Sequence, residues 1–119
     1  MLRVYFQNVN GLQQIPTLDK WKEILSELFT NDIDIAGLVE TNINWTPIRT
    51  RQANNLLRKQ FGNGTMINST SDKPSSGSYK QGGTRLLLTG NVIGAIDNVA
   101  TDSRGLGRWS YCLLQGRKI

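Results

Sequence analysis

The sequence LRVYFQNVNG, at residues 2–11, and the sequence IDIAGLVET, at residues 33–41, decide the fold. Both are rich in β-branched, aromatic and aliphatic residues and end at polar or turn-forming positions, which is typical of buried strands. Between them, Pro16 and Thr17 open a predicted amphipathic helix that Thr17 is placed to cap. The apolar residues of this helix recur at helical spacing: Leu18, Trp21, Ile24, Leu25, Leu28 and Phe29. Strand, helix and strand together form a βαβ unit.

The two strands of a βαβ unit are almost always parallel, with a right-handed crossover. Their carboxyl ends therefore meet at one edge of the sheet, and Asn8 and Glu40 are predicted to be neighbours there. A carboxylate beside an amide offers hard oxygen ligands, of the kind that Mg²⁺ takes when it keeps most of its waters. On the residues alone, a turn asparagine and a surface glutamate are the more ordinary interpretation of the same positions.

The remaining segments predict one more helix and several antiparallel strands. Thr46 and Pro47 are placed to begin a helix, with an apolar face formed by Ile48, Gln52, Leu56, Leu57 and Phe61. The turn-rich segment 69–83 is predicted to be a flexible loop. Strands are predicted at residues 65–69, 84–89, 92–100 and 108–114. The expected fold class is α/β (α+β), a mixed β-sheet with helices on one face.

Length and composition are those of one soluble globular domain. The chain has 119 residues, of which 38% are hydrophobic and 19% charged, too apolar for a disordered tail and too interrupted for a membrane span. The N-terminus does not resemble a signal peptide, so an intracellular protein of the nucleus or cytoplasm, not a secreted one, is expected. Cys112 is predicted to be a small buried hydrophobe. The chain contains no histidine, which excludes imidazole as base, nucleophile or metal ligand within these residues.

The charge is unevenly distributed along the chain. Residues 1–40 carry three Lys and Arg against six Asp and Glu, a balance of −3. Residues 41–119 carry eleven Lys and Arg against three Asp, a balance of +8. A surplus of this size suits a polyanionic partner such as nucleic acid, while a solvated basic surface explains it equally well.

Four motifs in a fixed order resemble a known superfamily. They are VYFQNVNGL at 4–12, DIAGLVET at 34–41, GGTRLLL at 82–88 and DSRGLGRWSY at 102–111. Together they are similar to the endonuclease/exonuclease/phosphatase superfamily, which has the DNase I-like fold. They look most like the endonuclease region of retrotransposon-type open reading frames. The resemblance runs over residues 1–119 but covers only the N-terminal half of the family domain, and the C-terminal half is expected to be absent.

The resemblance implies half of a four-layer αββα sandwich and a phosphodiesterase that uses Mg²⁺ or Mn²⁺. It assigns Glu40 as a metal ligand and Asn8 as a residue that helps to hold the metal and the scissile phosphate, and these two are the candidate catalytic residues. Asn10 resembles an auxiliary polar residue that binds substrate. Arg108 matches a central-strand arginine of the family, where it contacts either the substrate or an internal carboxylate.

Two family motifs have no match in the chain: an Asp-x-Asn pair and a terminal Ser-Asp-His motif that activate water. Loss of a general base typically costs a factor of about 10² to 10⁴ in rate, so little hydrolysis is expected from this polypeptide alone. Exposed apolar strands and marginal stability are also expected, with rescue by a chain that supplies the missing half.

Three classes of function remain open. The first is a metal-dependent endonuclease module, catalytic once completed, for which the basic surplus favours nucleic acid over small phosphate esters. The resemblance makes DNA the expected nucleic acid rather than RNA. The second is a non-catalytic module that binds nucleic acid, with Trp45, Trp109 and Tyr111 available for stacking on bases; a place in the core is the alternative for the tryptophans. The third is a remnant of a mobile element.

Overall fold

A computed structural model describes residues 2–12, 18–73, 77 and 79–115. It confirms a mixed α+β architecture with two sheets and two long helices. The elements follow the order β1 (Val4–Asn8), α1 (Asp19–Thr30), β2 (Ile35–Val39), α2 (Pro47–Phe61), β3 (Gly64–Ser69), β4 (Thr84–Thr89), α3 (Gly90–Ile93), β5 (Ile96–Thr101) and β6 (Ser110–Leu114). No helix within these residues is both long and apolar enough to cross a membrane.

The main sheet has four strands in the order β1-β2-β4-β3. Strands β1 and β2 are parallel, with a register that runs from Val4 opposite Ile35 to Asn8 opposite Val39. The predicted βαβ unit is therefore confirmed. The β2–β4, β3–β4 and β5–β6 pairs are all antiparallel, as the second half of the sequence predicts.

Helix α1 buries the face that its apolar spacing predicts. Trp21 is 0% exposed, and Ile24, Leu25 and Leu28 are buried with it. The helix begins at Asp19, and its N-cap residue is Leu18, which has a φ of 52° and no side-chain capping bond. The predicted cap, Thr17, lies outside the described residues.

Helix α2 begins as the sequence predicts, and its predicted apolar face is confirmed toward the C-terminal end, where Leu57 is buried and Leu56 and Phe61 pack against the core. The Thr46 hydroxyl accepts a hydrogen bond from the Arg49 N–H at 3.3 Å, and Pro47 follows the cap. The buried residues are Ala53 and Leu57. Ile48 is 64% exposed, so its assignment to the buried face was wrong. The helix turns Ala53 toward α1, which places position 48 on the opposite side.

The helices cover one face of the main sheet, and the β5–β6 sheet packs on part of the other. On the helix side, Ala36, Leu38 and Leu87 join the buried core. On the opposite side the Thr84 and Ser110 hydroxyls are 3.1 Å apart, which joins β4 to β6. The outer face of β1 stays open, since Val4 is 65% and Phe6 69% exposed. Exposed apolar strand surface, expected from the resemblance, is present.

Three further local predictions differ from the structure. The strand predicted at residues 108–114 begins only at Ser110, so Arg108, matched to a central-strand arginine, lies in the turn before it. The strand predicted at residues 92–100 begins only at Ile96, because residues Gly90–Ile93 form the short helix α3. Gly94 interrupts the apolar run, and the Ala95 N–H closes a turn on the Val92 carbonyl at 3.0 Å. Cys112, predicted to be buried, is only half-buried on β6, because its strand belongs to the small two-stranded sheet.

Candidate functional site

The carboxyl ends of β1 and β2 continue side by side beyond the sheet. The Val9 N–H donates to the Val39 carbonyl at 3.0 Å, and the Gly11 N–H donates to the Glu40 carbonyl at 2.7 Å. Asn8 is the register partner of Val39, the residue before Glu40. The segment that carries Asn8 and Asn10 therefore lies directly beside Glu40 along the backbone, as parallel strands require.

The end of β2 adopts an unusual backbone conformation. Glu40 has a φ of 56° and Asn42 a φ of 53°, so two non-glycine residues are left-handed within three positions. A side chain in this conformation costs about 1–2 kcal/mol, and asparagine tolerates it better than glutamate does. Hydrogen bonds hold the conformation, since the Glu40 carbonyl accepts from Gly11 and the Asn42 N–H donates to the Gly82 carbonyl at 2.9 Å. Strain of this kind at an exposed glutamate is a common property of functional sites.

Asn42 fixes the segment 80–83 against the end of β2. Its side-chain Oδ1 accepts a hydrogen bond from the Gly82 N–H at 2.8 Å. Its carbonyl accepts from the Lys80 N–H at 3.3 Å. The Lys80 Nζ then donates to the Ser71 carbonyl at 2.9 Å. This chain of contacts brings part of the predicted flexible loop, residues 69–83, into an ordered wall beside Glu40.

A cavity of about 670 Å³ lies between these segments, within the size range of small-ligand sites. Glu40 contributes the carboxylate of its lining, while Lys73, Lys80 and Arg108 contribute three cationic side chains. The remaining lining is Val39, Ser71, Tyr79, Gln81, Gly82, Gly83, Thr84, Leu106 and Gly107. One carboxylate facing three cations is an arrangement that suits a phosphate group with an associated cation.

The structure brings together only two of the four predicted site residues on this cavity. Glu40 and Arg108 line it, whereas Asn8 and Asn10 do not. Directly paired residues of neighbouring strands point to the same face, so Asn8 shares the face of Val39, which does line the cavity. The Asn8 Oδ1 accepts a hydrogen bond from the Asn10 N–H at 3.0 Å. One lone pair of that oxygen is thus engaged in a local turn, and the other remains for a ligand.

Asp102 holds the turn that presents Arg108. Its Oδ2 accepts from the Arg108 N–H at 3.1 Å and its Oδ1 from the Arg104 N–H at 2.9 Å. The Ser69 hydroxyl accepts from the Asp102 N–H at 3.3 Å, which ties the turn to β3. The Asp102 carboxylate therefore binds the backbone of Arg108, while the Arg108 side chain is exposed at the cavity.

Burial alone would raise the pKa of the Asp102 carboxyl, but the backbone N–H groups of Arg108 and Arg104 and their positive charges outweigh it and lower the pKa below 3.8. A carboxylate with a lowered folded-state pKa stabilises the fold above its unfolded pKa, and the effect is lost as the pH falls through the folded value. We expect Asp102→Asn to be less stable than wild type at pH 7 in urea titrations, with the difference shrinking below about pH 4. A difference that stays constant from pH 7 to pH 3 would contradict this.

The oxygen ligands at the ends of β1 and β2 suit only a divalent cation that keeps most of its waters. No group of three or more histidine, cysteine or acidic side chains converges in the part of the chain that the structure describes. Magnesium commonly binds through one or two carboxylates and keeps several waters. Glu40 with the free lone pair of Asn8 fits that mode and does not fit a cage built of protein ligands alone.

Sequence reasoning missed the cationic residues Lys73 and Lys80, and it also missed a buried arginine. Arg85 on β4 is 1% exposed, and its Cζ lies 4.8 Å from the Trp21 ring and 3.7 Å from the Trp45 ring. Its Nε donates to the Asn68 Oδ1 at 2.6 Å, and burial lowers the pKa of the guanidinium to about 9. No sequence motif distinguishes a buried arginine such as Arg85 from an exposed one.

The tryptophans therefore divide between two roles. Trp21 is a core residue, and Trp45 packs on the buried guanidinium. Trp109 and Tyr111 are exposed and stack on each other, with ring centroids 6.0 Å apart. Of the three aromatic residues predicted to be available for stacking on bases, these two remain on the surface.

Comparison with known proteins agrees with this fold. The structure is similar to that of an endonuclease/exonuclease/phosphatase family protein from Leptotrichia buccalis C-1013-b, with a TM-score of 0.57 and 15% sequence identity. The match covers 84% of this chain and 41% of that one. The likeness shows a mixed α+β fold that is similar to the DNase I-like fold. The chain spans about two fifths of the length of the matched structure. No family model and no curated protein matches the sequence.

Proposed function

We propose that residues 1–119 provide the metal- and phosphate-binding part of a phosphodiesterase-type centre that acts on nucleic acid. The observation that carries this proposal is the position of Glu40. It stands in a strained conformation at the carboxyl end of a parallel strand pair and shares a cavity with Lys73, Lys80 and Arg108. Cationic side chains around a phosphate stabilise the negative charge that develops on it during transfer, and Lys80 among these three is held in place by its bond to the Ser71 carbonyl.

In this proposal Glu40 and Asn8 hold Mg²⁺ or Mn²⁺, which keeps most of its waters. The cation, when bound, neutralises a phosphate oxygen and stabilises charge on the leaving oxygen. Arg108 and Lys80 bind the phosphate from the opposite wall, and Asn10 adds a polar contact at the strand end. DNA is the proposed substrate, in line with the balance of +8 over residues 41–119. The proposed relation to retrotransposon-type endonucleases is supported by motif order alone.

The group that activates water is proposed to come from outside residues 1–119. The chain has no histidine, and both Asp102 oxygens accept backbone hydrogen bonds. A further part of the same polypeptide, or a second chain, would supply this group together with the surface that covers the open face of β1. Residues 1–119 by themselves are then expected to bind nucleic acid and to cleave it little.

A cleavage assay with supercoiled plasmid and Mg²⁺ tests this proposal. We expect conversion to nicked DNA close to the protein-free rate, because absence of a general base costs about 10² to 10⁴ in rate. Binding to a labelled duplex is expected at low salt and should weaken as salt rises. Efficient nicking that Glu40→Ala abolishes would contradict the assignment of the base to another segment. Absence of duplex binding at low salt would contradict the choice of nucleic acid.

A non-catalytic nucleic-acid-binding module is the second candidate. The exposed stack of Trp109 and Tyr111 favours it, because base–aromatic stacking contributes about 1–3 kcal/mol per base in proteins that bind single strands. Under this alternative, binding survives Glu40→Ala and does not respond to Mg²⁺. Under the phosphodiesterase proposal, Mg²⁺ strengthens binding in wild type and has no such effect in the variant.

A further inference from the structure

A second basic groove lies on the exposed side of α2. It has a volume of about 400 Å³ and is lined by Trp45, Pro47, Thr50, Arg51, Asn54, Asn55 and Arg58. This lining contains no carboxylate and shares no residue with the lining of the cavity at Glu40. The groove is thus a separate surface with its own charge.

The charge of α2 is entirely positive. The helix carries four cations, Arg49, Arg51, Arg58 and Lys59, and no acidic residue occurs anywhere from Thr41 to Ser71. Arg49 is engaged, since its guanidinium donates to the Asn44 carbonyl at 3.0 Å. Arg51 and Arg58 are exposed and seven residues apart, which places them on one side of the helix about 10 Å apart along its axis.

We propose that this groove binds the sugar–phosphate backbone of a nucleic acid, as a contact site distinct from the cavity at Glu40. Guanidinium groups bind phosphate oxygens through two parallel hydrogen bonds. Asn54 and Asn55 lie between the two arginines in sequence and offer amide donors of the kind that position nucleic-acid backbones. The inference rests on the proposed function only in naming the same class of partner.

Other polyanionic surfaces fit the groove less well. A helix that lies on an anionic membrane buries a broad apolar face beside its cationic one. Ile48 is the only large apolar side chain of α2 that is strongly exposed, so the helix has no broad apolar face of that kind. An acidic protein would also meet the charge, but the polar lining of threonine and asparagines beside the arginines offers hydrogen-bond donors suited to phosphate oxygens.

The test compares two double variants by fluorescence anisotropy with a labelled DNA duplex. Arg51→Gln with Arg58→Gln removes two charges from the groove, and Lys22→Gln with Arg3→Gln removes two from exposed positions outside both the groove and the cavity at Glu40. We expect the groove variant to bind about tenfold more weakly and to lower the slope of log affinity against log salt by about 2. The control pair should change affinity by less than about twofold and leave that slope unchanged. Equal losses in the two variants would overturn the proposal.

Two further measurements keep this test separate from that of the cavity. A duplex that carries an azidophenacyl photocrosslinker on backbone phosphorothioates should crosslink to the peptide of residues 47–61, and absence of that crosslink would overturn the proposal even if the groove variant failed to fold. Loss of binding in Lys80→Gln with Arg108→Gln, and none in the groove variant, would overturn this inference and leave the proposed function standing. Competition by poly-glutamate or phosphatidylserine vesicles equal to that by unlabelled duplex would also overturn it.

Discussion

Replacing Gly107 by alanine is expected to lower the free energy of unfolding by about 3 kcal/mol, from left-handed strain and overpacking together. Gly107 has a φ of 68°, and a Cβ there would lie 2.6 Å from the Thr70 carbonyl carbon and 2.7 Å from the Ser71 nitrogen. Both contacts are with backbone, which cannot move aside as a side chain can. The turn that carries Arg108 would have to leave the segment 70–72, so the cavity at Glu40 would lose that wall.

Gly82→Ala is the matched control for this prediction. Gly82 also has a left-handed φ, of 79°, but a Cβ there would have no atom within 4 Å. Only backbone strain then remains, and we expect a loss of about 1 kcal/mol. Urea unfolding followed by circular dichroism measures both variants. Equal losses would show that the turn does not dock against the segment 70–72 as closely as the structure has it.

Trp21→Ala is expected to destabilise the fold still more, by about 4 kcal/mol, which is near the middle of the range for buried tryptophan. Trp21 is 0% exposed, and its Nε1 donates to the Ala53 carbonyl at 3.2 Å. Its ring also covers one side of the buried Arg85 guanidinium, at 4.8 Å. The variant therefore creates a cavity between α1 and α2 and leaves a buried positive charge with one aromatic neighbour fewer.

Trp109→Ala is the matched control for Trp21→Ala, because it removes the same side chain from an exposed position. Trp109 is 41% exposed and stacks on Tyr111, so its removal should cost only about 1 kcal/mol. Thermal melts should separate the variants clearly, because 1 kcal/mol corresponds to roughly 4 °C in a domain of this size. Similar melting temperatures for the two variants would contradict the division of the tryptophans into core and surface residues.

Much of the fold follows from local patterns in the sequence. The βαβ unit can be predicted because two strand-forming segments flank a helical pattern. The rule that such units cross over right-handed then makes the strands parallel. The N-cap at Thr46 can be predicted because its side chain binds a backbone N–H in the first turn of the same helix. The position of Glu40 at the end of β2 follows from the same reasoning.

The rest of the candidate site depends on contacts between distant segments, which leave no local pattern. Lys80 reaches the cavity because Asn42, 40 residues before Gly82, fixes that segment by a side-chain bond. Arg85 is buried where Trp21 and Trp45, on separate parts of the chain, both pack against its guanidinium. Ile48 was wrongly predicted to be buried for the same reason. Helical spacing shows which residues share a face, but it does not show which face packs against the rest of the protein.

The proposed divalent cation between Glu40 and Asn8 is tested most directly by paramagnetic broadening by Mn²⁺ in ¹⁵N NMR spectra. Substoichiometric Mn²⁺ should broaden the amide signals of residues 8–11 and 40–42 before all others. Glu40→Asn should abolish that pattern while keeping the fold, because asparagine tolerates the left-handed φ of 56° at this position. Broadening that centres elsewhere, or that persists unchanged in Glu40→Asn, would contradict this proposal.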